Sequence, residues 1–343
     1  MAGVTLREIA RKSGVSYQTV SRILNHQSNL HKPDTVARVR KVAEELGYRP
    51  NLNARGIQTG KTRMIGIMNG FGQGPLDENL LLGMHDALIQ LDYLPIMLMT
   101  RPGVCTSLEQ VHRLVDRRVE GIVLRPASQD IADDCLREIA DRKIPLVMVE
   151  FEADGAEFAD FAGADDIKGG ELAAEHLLRL GHSRVAYISW LMQTEQKQER
   201  LKGFQDAFHE AGDTQLTIAD IPFDLHTLGE PFVRELLSRP DRPTAVFVST
   251  DDLAKGVYAA ARDLRLRIPQ DLSVVGFSDL GFAAEMQPAL TTLRHDPLEI
   301  GEQAVRLLLD RIEGKVIDPR PRKVRLAPEL IIRESTAPPY MIH

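Results

Sequence analysis

The chain has 343 residues, longer than one typical domain, and a net charge of −7 with 43% hydrophobic and 27% charged residues. Its two cysteines, Cys105 and Cys135, exclude a disulfide scaffold and lack metal-ligand spacing. No apolar run nears the roughly 18 residues of a membrane span and no secretory leader is evident, so a cytoplasmic protein without a membrane partner is expected. The charge is uneven. Residues 1–62 carry eleven Lys or Arg against four acids, +7, which leaves −14 on residues 63–343. A basic head on an acidic body is the footprint of a nucleic-acid module joined to something else.

In chain order, TLREIARKSGVSYQTVSRILN (5–25) encodes two short helices about a tight turn. Thr5 can cap the first, whose apolar stripe is Leu6, Ile9 and Ala10, and Gly14 can take the positive φ the turn needs. Ser16 can cap the second, which buries Val20 and Ile23 and exposes Tyr17, Gln18, Ser21 and Arg22. Arg donates bidentately to guanine, Gln pairs with adenine, and hydroxyls reach phosphate, so this face suits double-stranded DNA in a helix-turn-helix. A plain αα-hairpin with a polar face is the alternative. A third helix is predicted from Val36, Val39, Val42, Ala43 and Leu46, with Gly47 ending it. Residues 48–61 then read either as a solvated linker or as a hinge of about two helical turns, too short to stand alone. As a hinge, it would place Ile57 as an apolar wedge for the minor groove.

From residue 63 onward apolar runs alternate with amphipathic stretches. Strands are predicted at 64–68, 94–99, 121–124, 144–149, 184–189, 244–248 and 272–277. Helices are predicted near 78–91, 107–118, 131–142, 168–180, 197–211, 229–238, 252–265 and 298–313. This rhythm implies an α/β core of two lobes, with parallel sheets covered by helices on both faces. Ligands of such sheets bind beyond the carboxyl ends of the strands, here between the lobes. The residues placed there are Phe71, Glu150, Trp190, Thr250, Asp251, Phe277, Ser278 and Asp279. Carboxylates, hydroxyls and aromatic faces of this kind suit a sugar or nucleoside. Helix capping by Asp252 and core packing of Trp190 and Phe277 are the competing readings. The helix at 78–91 is apolar enough to serve a dimer interface as well as the core. No phosphate loop, nucleophile elbow or zinc-protease motif is present, so neither an enzyme nor a bound cofactor is expected.

GVSYQTVSR, followed by LGYRPN and AR-x-I-x-T, resembles the lactose-repressor (LacI/GalR) family of bacterial regulators, and the likeness runs from residue 4 to about 335. The resemblance implies a helix-turn-helix headpiece (1–48), a hinge helix (49–62) and a two-lobed effector-binding and dimerisation core like periplasmic sugar-binding proteins (63–340). It implies base reading by Tyr17, Gln18 and Arg22. Phosphates would be held by Thr5, Ser16, Thr19, Ser21, Asn25 and Thr35, and minor-groove contacts made by Asn51, Ala54 and Ile57. ERLKGF (199–204) matches the family's Arg-x-x-Gly-Phe element, which makes Arg200 the effector-binding arginine. The chain departs from the family in several places. The loop at 26–33 is one residue longer, Val36 stands where Arg is common, and Ile57 replaces Leu. Thr250 replaces Asn, Ser278 stands where an acid is frequent, and GFGQGPLDEN (70–79) replaces an aromatic pair. The expected protein is a homodimeric repressor of carbohydrate or related catabolic genes. It binds a palindromic operator and is switched by a sugar, sugar derivative, nucleoside or purine. A transport-type solute receptor and a regulator answering to a protein co-regulator are the alternatives.

Overall fold

In a computed structural model, the chain divides into two units, Met1–Thr62 and Arg63–His343. The structure describes all residues except 1–3, 25–30, 49–60, 71–74, 100–106, 127–132, 154, 192–194, 213, 223–225 and 341–343. The expectations for Asn25, Asn51, Ala54, Ile57 and Phe71 therefore lie outside the described residues.

The first unit is built from α1 (Leu6–Ser13), α2 (Tyr17–Leu24) and α3 (Pro33–Glu45). Local signals set all three. Thr5 and Glu8 form a reciprocal capping box, with Thr5 N donating to Glu8 Oε2 at 2.8 Å. Gly14 ends α1 at φ +68°. Pro33 opens α3, where its missing N–H costs nothing. Ile9, Val20, Ile23, Val39, Val42 and Ala43 form the core. Val36 packs against that core, so the residue standing where Arg is common serves packing here.

The second unit holds two six-stranded sheets. In chain order its elements begin with β1 (Met64–Asn69), α4 (Pro75–Gln90), β2 (Leu94–Met99), α5 (Ser107–Asp116), β3 (Gly121–Arg125), α6 (Asp133–Asp141), β4 (Leu146–Val149) and β5 (Asp160–Ala164). The chain then enters the second lobe through α7 (Asp166–Arg179), β6 (Arg184–Trp190), α8 (Glu195–Glu210), β7 (Gln215–Ile221), α9 (Glu230–Leu237), β8 (Ala245–Val248), α10 (Asp251–Asp263), β9 (Ser273–Phe277) and β10 (Thr291–Arg294). It returns for α11 (Pro297–Ile312) and β11 (Lys323–Leu326), and ends on β12 (Glu329–Ile331). The first sheet runs β11-β5-β4-β3-β1-β2 and the second β12-β10-β9-β8-β6-β7. All pairings are parallel except β10 with β12. Strands covered on both faces read as continuous apolar runs, as in IGIM and AVFV. Three segments cross between the lobes: after β5, between β10 and α11, and between β11 and β12.

The three headpiece helices and the strands and helices predicted from residue 63 onward are present, with ends shifted by a few residues, while the hinge helix expected at 49–62 falls mostly outside the described residues. Five strands lack a counterpart in the sequence reading: β5, β7, β10, β11 and β12. On α4, Leu80, Met84 and Leu88 are core, whereas Leu82 and Ile89 are exposed, as are Leu94, Met97 and Met99 on the edge strand β2. Among the described residues, no helix is long and apolar enough to cross a membrane.

Candidate nucleic-acid interface and effector cleft

Tyr17, Gln18 and Arg22 are exposed on one side of α2, while Val20 and Ile23 of the same helix are buried. Ser16 caps α2: its Oγ accepts from Thr19 N at 3.1 Å and meets Thr19 Oγ1 at 2.9 Å. These two hydroxyls sit at the helix start, where unsatisfied backbone N–H groups favour an anion such as a phosphate. Thr5 shares its hydroxyl with the cap of α1, and Thr35 and Ser21 are half-buried. The capping bonds from Thr5 backbone and side chain hold the Glu8 carboxyl below the usual range.

In the second unit the strand ends bring several groups together. Arg200 on α8 donates through Nε to Asp166 Oδ1 at 3.0 Å, through Nη2 to the same carboxylate, and through Nη1 to the Ser249 carbonyl. Its guanidinium lies 3.3 Å from the centroid of the Phe277 ring. Phe277 is wholly buried, so its ring seats Arg200 rather than offering an open face to a ligand. Burial pushes the Asp166 carboxyl above its ordinary range, and the Arg200 charge pulls it back.

This pairing follows from how two helices meet. A Cβ on Gly170 of α7 would stand 2.1 Å from the Arg200 carbonyl oxygen, and one on Gly203 of α8 would stand 2.0 Å from that of Ile167. Only glycine permits so close a backbone crossing, and Gly203 lies one turn along α8 from Arg200. The Arg-x-x-Gly spacing thus delivers the arginine to Asp166.

From the first lobe, Glu150 is buried at φ +62° and accepts from Arg125 Nε at 2.6 Å. Trp190 is half-buried and packs on the second lobe's core. Nearby, Ser189 Oγ and Lys197 Nζ both reach Asp220 Oδ1 at 2.7 Å. Burial raises the Asp220 carboxyl, but these two donors more than offset it and hold it below its usual range.

Two predicted ligand contacts are engaged elsewhere. Asp251 is fully buried, with Oδ1 accepting from Thr292 Oγ1 at 2.6 Å and Oδ2 from Leu280 N at 2.7 Å. Burial pushes its carboxyl up to about 6. Asp279 accepts from Arg333 at 2.6 Å and Arg294 at 2.7 Å. Together they fasten the turn after β9, where Ser278 (φ +118°) and Asp279 (φ +49°) both have strained backbones. Thr250 caps α10 through its backbone position without a side-chain bond, and Asp252 bonds Lys255.

Sequence reasoning missed Asp166, Arg125 and Asp220. Asp166 follows β5, a strand itself not predicted. Arg125 ends β3, one residue beyond the predicted run.

The family model described as bacterial regulatory proteins, lacI family, matches residues 5–51, and that of a periplasmic binding protein-like domain matches residues 174–336. The ribose operon repressor of Escherichia coli (strain K12) is 30% identical over 340 residues, covering 96% of this chain and 99% of that protein. Among solved structures, the Lac repressor dimer bound to operator and the anti-inducer ONPF superposes with a TM-score of 0.83 at 25% identity, covering 98% of this chain and 100% of its own. A LacI family transcriptional regulator from Enterococcus faecium, with bound ribose, gives a TM-score of 0.68 at 28% identity, covering 80% and 99% of the two chains.

Proposed function

The chain belongs to the lacI family of bacterial regulatory proteins, and we propose that it represses carbohydrate or related catabolic genes as a homodimer on a palindromic operator, released or held by a small molecule between its lobes. It is a ligand-responsive DNA-binding regulator, not an enzyme. The observation that carries the proposal is the row Tyr17, Gln18 and Arg22, exposed on a helix whose opposite side is core, in a unit of charge +7. Binding double-stranded DNA places its work in the cytoplasm.

The proposed division of labour has residues 1–48 as the headpiece, 49–62 as the hinge and 63–340 as the core. Tyr17, Gln18 and Arg22 read bases. Thr5, Ser16, Thr19, Ser21, Asn25 and Thr35 hold phosphates, and Asn51, Ala54 and Ile57 enter the minor groove. The exposed apolar side chains of Leu82 and Ile89 on α4 and of Leu94, Met97 and Met99 on the edge strand β2 support dimerisation, since apolar side chains left in water favour association. In the core, Arg200, Glu150 and Trp190 surround the ligand, with Phe71, Thr250 and Ser278 at its margins. Phe277, Asp251 and Asp279 shape the cleft from behind. The Enterococcus faecium regulator holds ribose, which supports a sugar or nucleoside over an unrelated ligand class.

The test begins with an operator selected from random-sequence DNA. Arg22→Ala is expected to bring binding of the selected site down to that of scrambled DNA, a loss of about 1–3 kcal/mol in discrimination, while salt-dependent non-specific binding persists. Undiminished preference for the selected site in this variant would reject the base-reading role.

A further inference from the structure

Arg325 stands on β11 of the first lobe and holds a carboxylate on each side of the lobe boundary. Its Nη1 donates to Glu199 Oε2 on α8 of the second lobe at 2.6 Å, and its Nη2 to Glu152 Oε1, just after β4 of the first lobe, at 3.0 Å. The local fold prepares this fork. Arg325 is paired in register with Gly163 of β5. A Cβ on Gly163 would stand 2.5 Å from Phe161 Cζ, so the missing side chain lets the Phe161 ring lie over that position. The Arg325 guanidinium rests on this ring, 5.0 Å from its centroid. A planar guanidinium with five donors can serve two carboxylates at once, which a lysine ammonium does less well.

The place of this contact matters as much as its geometry. Leu326, the next residue, ends β11 before the chain crosses to β12, and its carbonyl accepts from Asp165 N of the crossing after β5 at 2.8 Å. Glu199 is followed by Arg200, and the close crossing at Gly170 and Gly203 locks α8 to α7. The boundary here is acidic. Burial raises the Asp166 carboxyl, and Glu199 and, from the first lobe, Glu150 push it the same way. Glu152 and Glu199 both reach one guanidinium, so without it two like charges of opposite lobes would face each other at short range.

We propose that Arg325 is a positioning residue for the regulatory switch: by joining Glu152 of one lobe to Glu199 of the other, it braces the lobes at the angle seen here. A change of lobe angle, however driven, has to part or remake this contact. The brace rests on the reading of the chain as a regulator whose operator affinity follows lobe arrangement.

The test uses the full-length protein with spin labels at Asp134 on α6 and Glu210 on α8, which are exposed and lie in opposite lobes. Dilution with unlabelled protein keeps each measured distance within one chain. Arg325→Met is expected to shift or broaden the distance distribution and to change affinity for the selected operator by about three-fold or more. Glu199→Gln is expected to act in the same direction but less, since it removes the brace without freeing two charges, and it decides the matter if Arg325→Met does not fold. Lys323→Gln loses a cation of the same strand that bonds the same Glu152 but nothing across the boundary, and is expected to match wild type in both measurements. Wild-type distances in Arg325→Met and Glu199→Gln, with only a loss of stability in urea, would show packing support and overturn the proposal. So would distances that move while operator affinity stays put, or a Lys323→Gln variant as altered as Arg325→Met. Failure of the wild-type protein to select any operator sinks the regulator reading instead, and the distances then still judge the brace.

Discussion

Arg200 commits its guanidinium to Asp166, to the Ser249 carbonyl and to the face of Phe277, so its removal does two things at once. It strips the cleft of a donor and it leaves Asp166, whose side chain is 2% exposed, as a buried carboxylate without its cation. Breaking such a pair from one side is strongly destabilising, about 3 kcal/mol or more, whereas replacing both partners by apolar groups is often close to neutral. Arg200→Ala alone is therefore expected to lower core stability by that amount, and Arg200→Met with Asp166→Ala to lower it much less. Denaturant melts of the two variants check this, and equal losses would show that the pair is not what holds the site. Effector response is best read in the double variant, where a lost response reports the missing arginine rather than a damaged lobe.

The backbone crossing of α7 and α8 decides whether Arg200 reaches Asp166 at all. A methyl group at Gly203 meets the Ile167 carbonyl at 2.0 Å, and that carbonyl is backbone and cannot swing aside, so the helices must part. Gly203→Ala is expected to cost about 1–3 kcal/mol, as overpacking does, and to weaken ligand binding by displacing Arg200. Gly281→Ala is the control, because nothing lies within 4 Å of its would-be Cβ and its φ is ordinary. Equal melting of the two variants would refute the close-crossing account. These elements also show what a sequence discloses. The headpiece was legible because its signals are local: a capping box at Thr5–Glu8, a left-handed glycine at 14, apolar positions three and four apart. β5 was not, because DFAGA has weak strand propensity. It is held instead by Arg311 and Arg322, which reach Asp160 from more than 150 residues away. β7 and β11 are edge strands with few buried residues, so no continuous apolar run announces them. The cleft was half legible for the same reason. The strand ends marked Glu150 and Trp190, but the partners of Asp251, Asp279 and Arg200 come from distant segments, and only the fold shows which carboxylates are already taken.

At the scale of the whole core, two buried groups give opposite pH dependences. His182 bonds Thr244, Ser273 and the Ala337 carbonyl, fastening the end of the chain to the second lobe. Burial lowers its ring to about 4 from an ordinary 6.5. The unfolded chain protonates this histidine first, so its contribution to stability is present above 6.5 and lost as pH falls toward 4. Asp251 runs the other way. Its folded value of about 6 exceeds the ordinary 3.8, so the unfolded chain ionises first. Its contribution is full below 3.8 and is lost as pH rises through 6. The two slopes oppose one another between pH 4 and 6, which flattens the profile of the native protein. Asp251→Asn removes the falling contribution, since an amide does not ionise and still offers one acceptor and a donor for the Thr292 hydroxyl. Relative to wild type, this variant should gain stability by about 3 kcal/mol as pH rises from 4 to 6 and change little beyond, because a proton held by the folded state alone is worth about 1.36 kcal/mol for each pH unit crossed. Urea melts of both proteins at half-unit steps check the sign. A difference that stays constant across the window would mean that Asp251 is ionised throughout the folded state, and that its bonds to Thr292 and Leu280 hold a charge rather than a neutral acid.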